Sequence, residues 1–533
     1  MTRPQSVAAL GEREFDVLVI GGGITGAGVA RDAALRGLSV ALVDRHDFAS
    51  GTSSRSSRLI HGGLRYLEHG YLRLVHESST ERRRLLRLAP HLVQPLAFTW
   101  PVYRGARVPR WKLRAGLFLY DALSMFRNVG RHRGLDVREL TELEPMLRAN
   151  GLTGGATYYD AATDDSRLTL ANALAAREAG AVVVNHANVE GMIVERSKIT
   201  GAEVLDVQSG ARISVGARVV VNATGPWSDE VRSLAGDRAS RGVRGSKGTH
   251  ISVRSERVGN TGALTLLSPV DGRVFFVLPS GARTIIGTTD TFTDESPDGV
   301  RASEEDVAYL VQSANYFFPD APLTVDDVEA AWAGLRPLVA ASAGGGEGGA
   351  SREHAITVGA NGLVTISGGK LTTYRVMAEQ VVDCVERRLG RRPTPATTGS
   401  RVLPGGDFHS LDEEVGNAAR EWGERTARAL VRAHGSRWRD VPSAAGASAA
   451  LVEDGLPYVV SQLAFAVDHE MACTLGDLLI RRTHVAFETS DHGISAAARV
   501  ARALNTQLGW ADERVARELD DYRFEVARMF NVR

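Results

Sequence analysis

The first strong apolar run, Phe15 to Ile20 (FDVLVI), is rich in branched side chains and closed by three glycines, the pattern of a buried strand. Ala27 to Leu35 follows as a short helix that Gly37 stops, and Ser39 to Val43 (SVALV) is a second strand. Together they predict a βαβ unit and hence a parallel sheet. Glu68 to Leu88 reads as helix, and Leu92 to Trp100 as irregular or extended chain. Ala171 to Ala179 predicts a further helix, followed by AVVVN and the alternating segments GMIVE and ARISV. These suggest an antiparallel excursion ending in the strand ARVVVNATG at 217–225. Strands dominate again from 243 to 292 (THISV, RVFFVLP, RTIIGTT), and AASAGGGEGGA at 340–350 is a flexible loop by composition. LVTIS then predicts a strand, and Leu371 to Leu389 a helix with Met377, Val381, Val385 and Leu389 on one buried face. Past LPGG at 403–406, Ala, Glu and Arg recur at helical spacing, so a separate helical domain is expected from about residue 400, with PSAAGASAA as a linker or surface loop.

A chain of 533 residues with 43% hydrophobic and 24% charged residues is globular and exceeds one ordinary domain. Lys+Arg 63 balances Asp+Glu 63, so charge gives no case for a nucleic-acid partner. The two cysteines, Cys384 and Cys473, lack metal-ligand spacing; no metal is expected, and a reducing compartment fits. MTRPQSVAALGEREF lacks the apolar core of a secretory signal, and no run approaches the roughly 20 apolar residues of a spanning helix. Any membrane contact is therefore expected to be peripheral. YRGARVPRWKLRAGLFLYDALSMF at 103–126 admits two readings, a basic amphipathic membrane surface or a helix packed on the core.

Gly21-Gly22-Gly23-Ile24-Thr25-Gly26 fits G-x-G-x-x-G between a strand and a helix, with Asp44 at the end of the next strand and Arg45 beside it. Gly21 permits the tight turn, Gly23 lets backbone approach a pyrophosphate, and Gly26 allows close helix–strand packing. The helix N-terminus supplies amide donors for the phosphates, and Asp44 is placed to accept ribose hydroxyls. The fingerprint alone does not separate NAD from FAD. Ala223-Thr224-Gly225, closing ARVVVNATG, resembles the second motif of flavoproteins with two dinucleotide-binding domains and favours FAD.

An ordered set of stretches then resembles one family closely, the FAD-dependent (aerobic) glycerol-3-phosphate dehydrogenases. They are IGGGITGAGVARDAALRGLSVALVD, GTSSRSSRLIHGGLRYLEHG, DSRLTLANA, NATGPW, KGTHI, IIGTTD, GLRPL, SREHAI and GGKLTTYR. The resemblance implies an α/β fold with a Rossmann-like FAD-binding domain, an antiparallel-sheet substrate (cap) domain of the D-amino-acid oxidase/glycine oxidase type, and a C-terminal helical domain. The expected divisions are 15–90, 171–235 and 351–392 for FAD, 91–170 and 236–350 for the cap, and 400–533 for the helical domain. The implied reaction oxidises sn-glycerol 3-phosphate to dihydroxyacetone phosphate and passes electrons to a membrane quinone. A homodimer is expected, cytoplasmic and peripheral on the inner face of the cell membrane.

Such chemistry asks for a group that handles the hydroxyl proton and cations that hold the phosphate. The resemblance places His61 at the proton, beside the Gly62-Gly63 pair, with Arg65 and Tyr66 in the substrate site. Arg336 in AGLRPLV and Lys370 after Gly368-Gly369 join His61 as catalytic candidates, and His250 in KGTHI and Arg352 in SREHAI are further substrate candidates. Thr52, Ser53, Ser54, Ser56 and Ser57 are expected at the cofactor, with Gly62, Gly63, Gly369, Leu371, Thr372 and Thr373. Arg58 stands where the family often has lysine, a mild change if the site is solvated or phosphate-facing and a geometric one if it is covered. His69 and His76 are expected at the surface. The competing readings are an oxidase delivering electrons to oxygen, an amine oxidase, and a non-catalytic nucleotide-binding module.

Overall fold

The computed structural model describes residues 2–237, 242–339, 353–443 and 449–532. The loop at 340–350, Arg352 and residues 444–448 of PSAAGASAA lie outside them. Phe15–Ile20 is the centre of an eight-stranded sheet, paired in parallel with Val40–Val43 on one side and Arg212–Asn222 on the other. Val182–Val184 and Val364–Ser367 extend it in parallel, and Ala355–Val358 closes one edge antiparallel. The fingerprint helix runs Ile24–Leu35 and packs against Asp165–Glu178 and Tyr374–Arg388. Its Ala27, Val29, Ala30 and Ala33 are fully buried with Met377, Val381 and Val385, so two small-residue and branched faces interlock over the sheet. The segments ARISV and ARVVVN, which pattern alone separates, form one strand, Arg212–Asn222. Its first half pairs antiparallel with Lys198–Asp206 and its second half parallel with Phe15–Ile20.

A second, ten-stranded sheet is mainly antiparallel. Val243–Arg254 pairs with Arg283–Gly287 on one side and Val328–Val339 on the other. The stretch expected as irregular or extended is a long strand, Val93–Tyr103, zipped along Leu152–Thr163. Immediately before His61, Leu59–Ile60 crosses into this sheet and pairs with Ala161 and Ala162. The helix expected over 68–88 begins later: a 3₁₀ turn covers Leu64–His69, Gly70 ends it at φ +73°, and Leu72–Leu88 is the helix proper.

Beyond LPGG the chain is helical, with Leu411–Trp422, Glu424–His434, Val460–Glu470, Ile494–Leu508 and Asp512–Phe530. A seam of buried ion pairs joins these helices to the rest. Arg167 bonds both oxygens of Glu470 at 2.7 Å, Arg482 and Arg481 hold Asp47, and His484 meets Asp164 at 3.1 Å. His186, Cys473 and Asp477 bring ligand-type atoms within 4.8 Å of one another. The Asp477 oxygens already accept from His186, from the Cys473 and Thr474 amides and from Arg481, which makes this a hydrogen-bonded knot. Arg58 faces the same seam, 4.6 Å over the Phe487 ring and 3.4 Å from His484 Nδ1. Its position is thus the covered one, and the planar guanidinium stacks where a lysine head could not. No helix among the described residues is long and apolar enough to cross a membrane.

Candidate active site

The two sheets enclose a cleft of about 740 Å³ that runs from the glycine fingerprint to the Tyr66 turn. Gly21 takes φ +103°, and a Cβ on Gly26 would sit 1.8 Å from the Gly21 carbonyl oxygen, so turn and helix pack backbone on backbone. Gly23, Ile24 and Thr25 line the cleft from one side, and Ala223, Thr224 and Gly225 from the strand end opposite. Ser53 Oγ accepts from the Ile24 amide at 3.0 Å, so the serine loop caps the fingerprint helix. Asp44 accepts from the Gly22 amide at 2.6 Å and the His46 amide at 2.8 Å, and burial pushes its carboxyl up to about 6. Arg45 is ion-paired to Asp298 and stacks 4.8 Å over Trp227. This cradle fits a dinucleotide: the packing that excludes side chains at Gly26 leaves the Gly23 face of the turn open to the cleft.

At the other end, His61 lies on the turn after Leu59–Ile60. Thr372 Oγ1 accepts from its amide at 3.2 Å and donates to its carbonyl at 3.3 Å. Gly63, in the left-handed region at φ +79°, packs against the buried Tyr66 ring. Lys370 Nζ sits 3.8 Å from the centroid of that ring, buried and with no hydrogen-bond partner among the described residues. Arg336 enters from the second sheet and is anchored by Thr288 Oγ1 at 3.2 Å, the Thr289 carbonyl at 3.3 Å and Asp290 at 3.4 Å. It keeps about a third of its side chain exposed while carrying this ion pair. His250 meets Ser57 Oγ at 2.8 Å and stacks on Trp332 at 5.5 Å. Burial, aided by Arg336 and Arg58, pulls its pKa down to about 3, so at neutral pH it offers no charge to a phosphate.

The remaining candidates divide by position. Thr52, Ser56, Gly369 and Leu371 line the cleft, Thr52 donating to the Leu335 carbonyl at 2.7 Å and Ser56 to Asp165 at 2.7 Å. Gly22, Ser54, Gly62, Thr372 and Thr373 stand behind its wall, as Gly26 does. Arg65 lies in the 3₁₀ turn Leu64–His69, and Arg352 lies outside the described residues. His76 is exposed, as expected.

Sequence reasoning missed the support under His61. Asp160 accepts from the Gly62 amide at 3.0 Å and from Tyr120 Oη at 2.6 Å, and it is ion-paired to Arg82. These three side chains come from three elements and are all buried. A Cβ on Gly62 would lie 2.3 Å from Tyr120 Oη, which explains the glycine better than cofactor contact does. It also missed Arg55, Trp227 and the wall formed by the helix Arg110–Leu123. Of these Arg55 and Trp227 carried a local signal, their places inside GTSSRSS and NATGPW.

The family model described as FAD dependent oxidoreductase matches residues 16–375, and that of the C-terminal domain of alpha-glycerophosphate oxidase matches 396–515. The glycine oxidase of Geobacillus kaustophilus shares the fold, with a TM-score of 0.53 at 22% identity over 73% of this chain and 98% of its own. Fold and cleft define a flavin-dependent oxidoreductase that uses FAD. Glycerol-3-phosphate dehydrogenase of Synechocystis sp. is 39% identical over 530 residues, covering 95% of each chain. The glycerol-3-phosphate dehydrogenase of Bacillus halodurans, solved with FAD, has a TM-score of 0.81 at 33% identity over 99% of this chain and 97% of its own. The chain belongs to the FAD-dependent glycerol-3-phosphate dehydrogenase family.

Proposed function

We propose that the protein oxidises sn-glycerol 3-phosphate to dihydroxyacetone phosphate and hands the electrons to a membrane quinone. The observation that carries the substrate is Lys370, whose buried ammonium, among the described residues, reaches only the face of Tyr66, a cation suited to an anion. Arg336, held rigidly by Asp290 and two threonines, offers a second cation with its fork preset. An amine substrate would find this end of the cleft repulsive. Bound FAD supplies the two-electron acceptor. His61, its peptide clamped by Thr372, is the side chain suited to take the hydroxyl proton near neutral pH. Anaerobic titration of the holoprotein with glycerol 3-phosphate should bleach the oxidised flavin spectrum stoichiometrically; an unchanged spectrum sinks the substrate assignment. Turnover in air that yields peroxide stoichiometrically and reduces no quinone would move the acceptor to oxygen.

The helix Arg110–Leu123 supports the membrane part. Leu113, Leu117 and Tyr120 are buried, while Trp111 is 73% and Phe118 59% exposed. Phe118 pairs with the exposed Phe126 at 5.9 Å, Arg131 lies 6.0 Å over the Phe126 ring, and Arg107, Arg110, Lys112, Arg114 and Arg127 are exposed in the same segment. Exposed aromatic side chains in a segment rich in exposed cations suit an anionic lipid interface. The same helix lines the cleft through Lys112, Ala115, Gly116 and Leu119, so a lipid-borne acceptor would arrive beside the site. Replacing Trp111 and Phe118 together by serine should cut co-sedimentation with anionic vesicles several-fold while activity with a soluble dye acceptor persists. Unchanged co-sedimentation would assign the membrane contact elsewhere.

A further inference from the structure

The cleft carries more positive charge than the substrate can use, and the surplus has an address. Arg45, Arg273 and Arg336 are engaged by carboxylates, and Lys112 is exposed to solvent. Lys370 and Arg55 remain, and the Lys370 ammonium and the Arg55 Nε are buried with no hydrogen-bond partner among the described residues. Lys370 sits with Tyr66 and His61, whereas Arg55 follows Ser53, the residue that caps the fingerprint helix. The charges that act on Arg55 are Arg528, Glu525, Arg481 and Asp298; the first two also act on His46 beside Asp44, and Asp298 holds Arg45.

The local build keeps Arg55 in place without satisfying it. A Cβ on Gly334 would come within 2.7 Å of the Arg55 carbonyl oxygen, so the second sheet presses directly on its main chain. Its Nε is sealed from solvent with no acceptor. Burial, reinforced by Arg528, pulls its pKa down to about 10. The charge arithmetic agrees. A pyrophosphate diester carries about two negative charges, and a helix N-terminus contributes only about half a positive one.

We propose that Arg55 is a phosphate ligand of the bound FAD, a cation added to the glycine fingerprint from the serine loop that caps its helix. Its planar fork suits bidentate contact with phosphate oxygens. Lys370 and Arg55 thus divide between the two phosphate-bearing molecules of the reaction, Lys370 for the substrate and Arg55 for the cofactor.

The test compares the parent protein with Arg55→Gln and Arg55→Lys, measuring FAD dissociation by flavin fluorescence, and ADP, adenosine and riboflavin binding to the apoprotein. Arg55→Gln is expected to weaken FAD and ADP by about tenfold to a hundredfold, with adenosine and riboflavin unchanged and Arg55→Lys intermediate. Added salt should weaken FAD binding to the parent more than to Arg55→Gln. FAD and ADP affinities within twofold of the parent would overturn the proposal. So would intact FAD binding with weakened glycerol 3-phosphate binding, which would move Arg55 to the substrate. Equal losses for riboflavin, adenosine and apoprotein melting temperature would reduce Arg55 to a structural strut, also against the proposal.

Discussion

Exchanging His61 for alanine should slow reduction of the bound flavin by glycerol 3-phosphate by about 10²- to 10⁴-fold, with a far smaller change in substrate affinity. The asymmetry follows from where the residue stands. Lys370 and Arg336, the cations proposed for the phosphate, come from other elements and keep their anchors when the imidazole is removed. The backbone of residue 61 also keeps its Thr372 clamp and its neighbour Gly62 keeps Asp160, so the turn should not collapse. What is lost is the group that accepts the hydroxyl proton. Stopped-flow reduction under anaerobic conditions reads the two effects separately, rate at saturation and concentration dependence. Partial rescue by added imidazole is the expected companion result. A saturating rate near that of the parent would take His61 out of the proton path.

The second large effect is expected from Arg82→Met. Arg82 lies on the helix Leu72–Leu88 and is the positive partner of Asp160, which also receives the Gly62 amide and the Tyr120 hydroxyl. All three side chains are almost fully buried. Removing the guanidinium leaves a buried carboxylate with neutral donors only, and unfolding stability should fall by roughly 3–5 kcal/mol. Combining Arg82→Met with Asp160→Asn should return part of that loss, because the amide oxygen can still accept from Gly62 without a stranded charge. Denaturant unfolding of the single and double variants checks both statements. A single variant as stable as the parent would show that the pair contributes nothing.

The parts of this architecture that local pattern revealed are those built from neighbours in sequence. The strand, glycine turn and helix of residues 15–35 are a contiguous unit, and Met377, Val381 and Val385 declare their buried face by spacing alone. Val93–Tyr103 was obscured by Pro95 and Pro101, which weaken a strand signal; pairing along Leu152–Thr163 overrides them. Arg212–Asn222 changes from antiparallel to parallel pairing in mid-strand, an event decided by its partners and not by its own residues. Asp160 had no signal because its role is defined by Gly62, 98 residues earlier, and by Tyr120, 40 residues earlier. Arg58 shows the same limit at a single position, since only the packing of Phe487 and His484 tells which way it faces.

The crossing strand Leu59–Ile60 has a further consequence. The serine loop reaches from the cap of the fingerprint helix at Ser53 to the second sheet at Ala161 and Ala162 within a few residues, and His61 follows at once. The chain between Ser53 and His61 therefore acts as a ruler between the cofactor half and the substrate half. Adding or deleting one residue there would shift the pairing register and swap which side chains face the cleft. Insertions are tolerated in surface loops, but in this segment the reach of the imidazole is written in residue count.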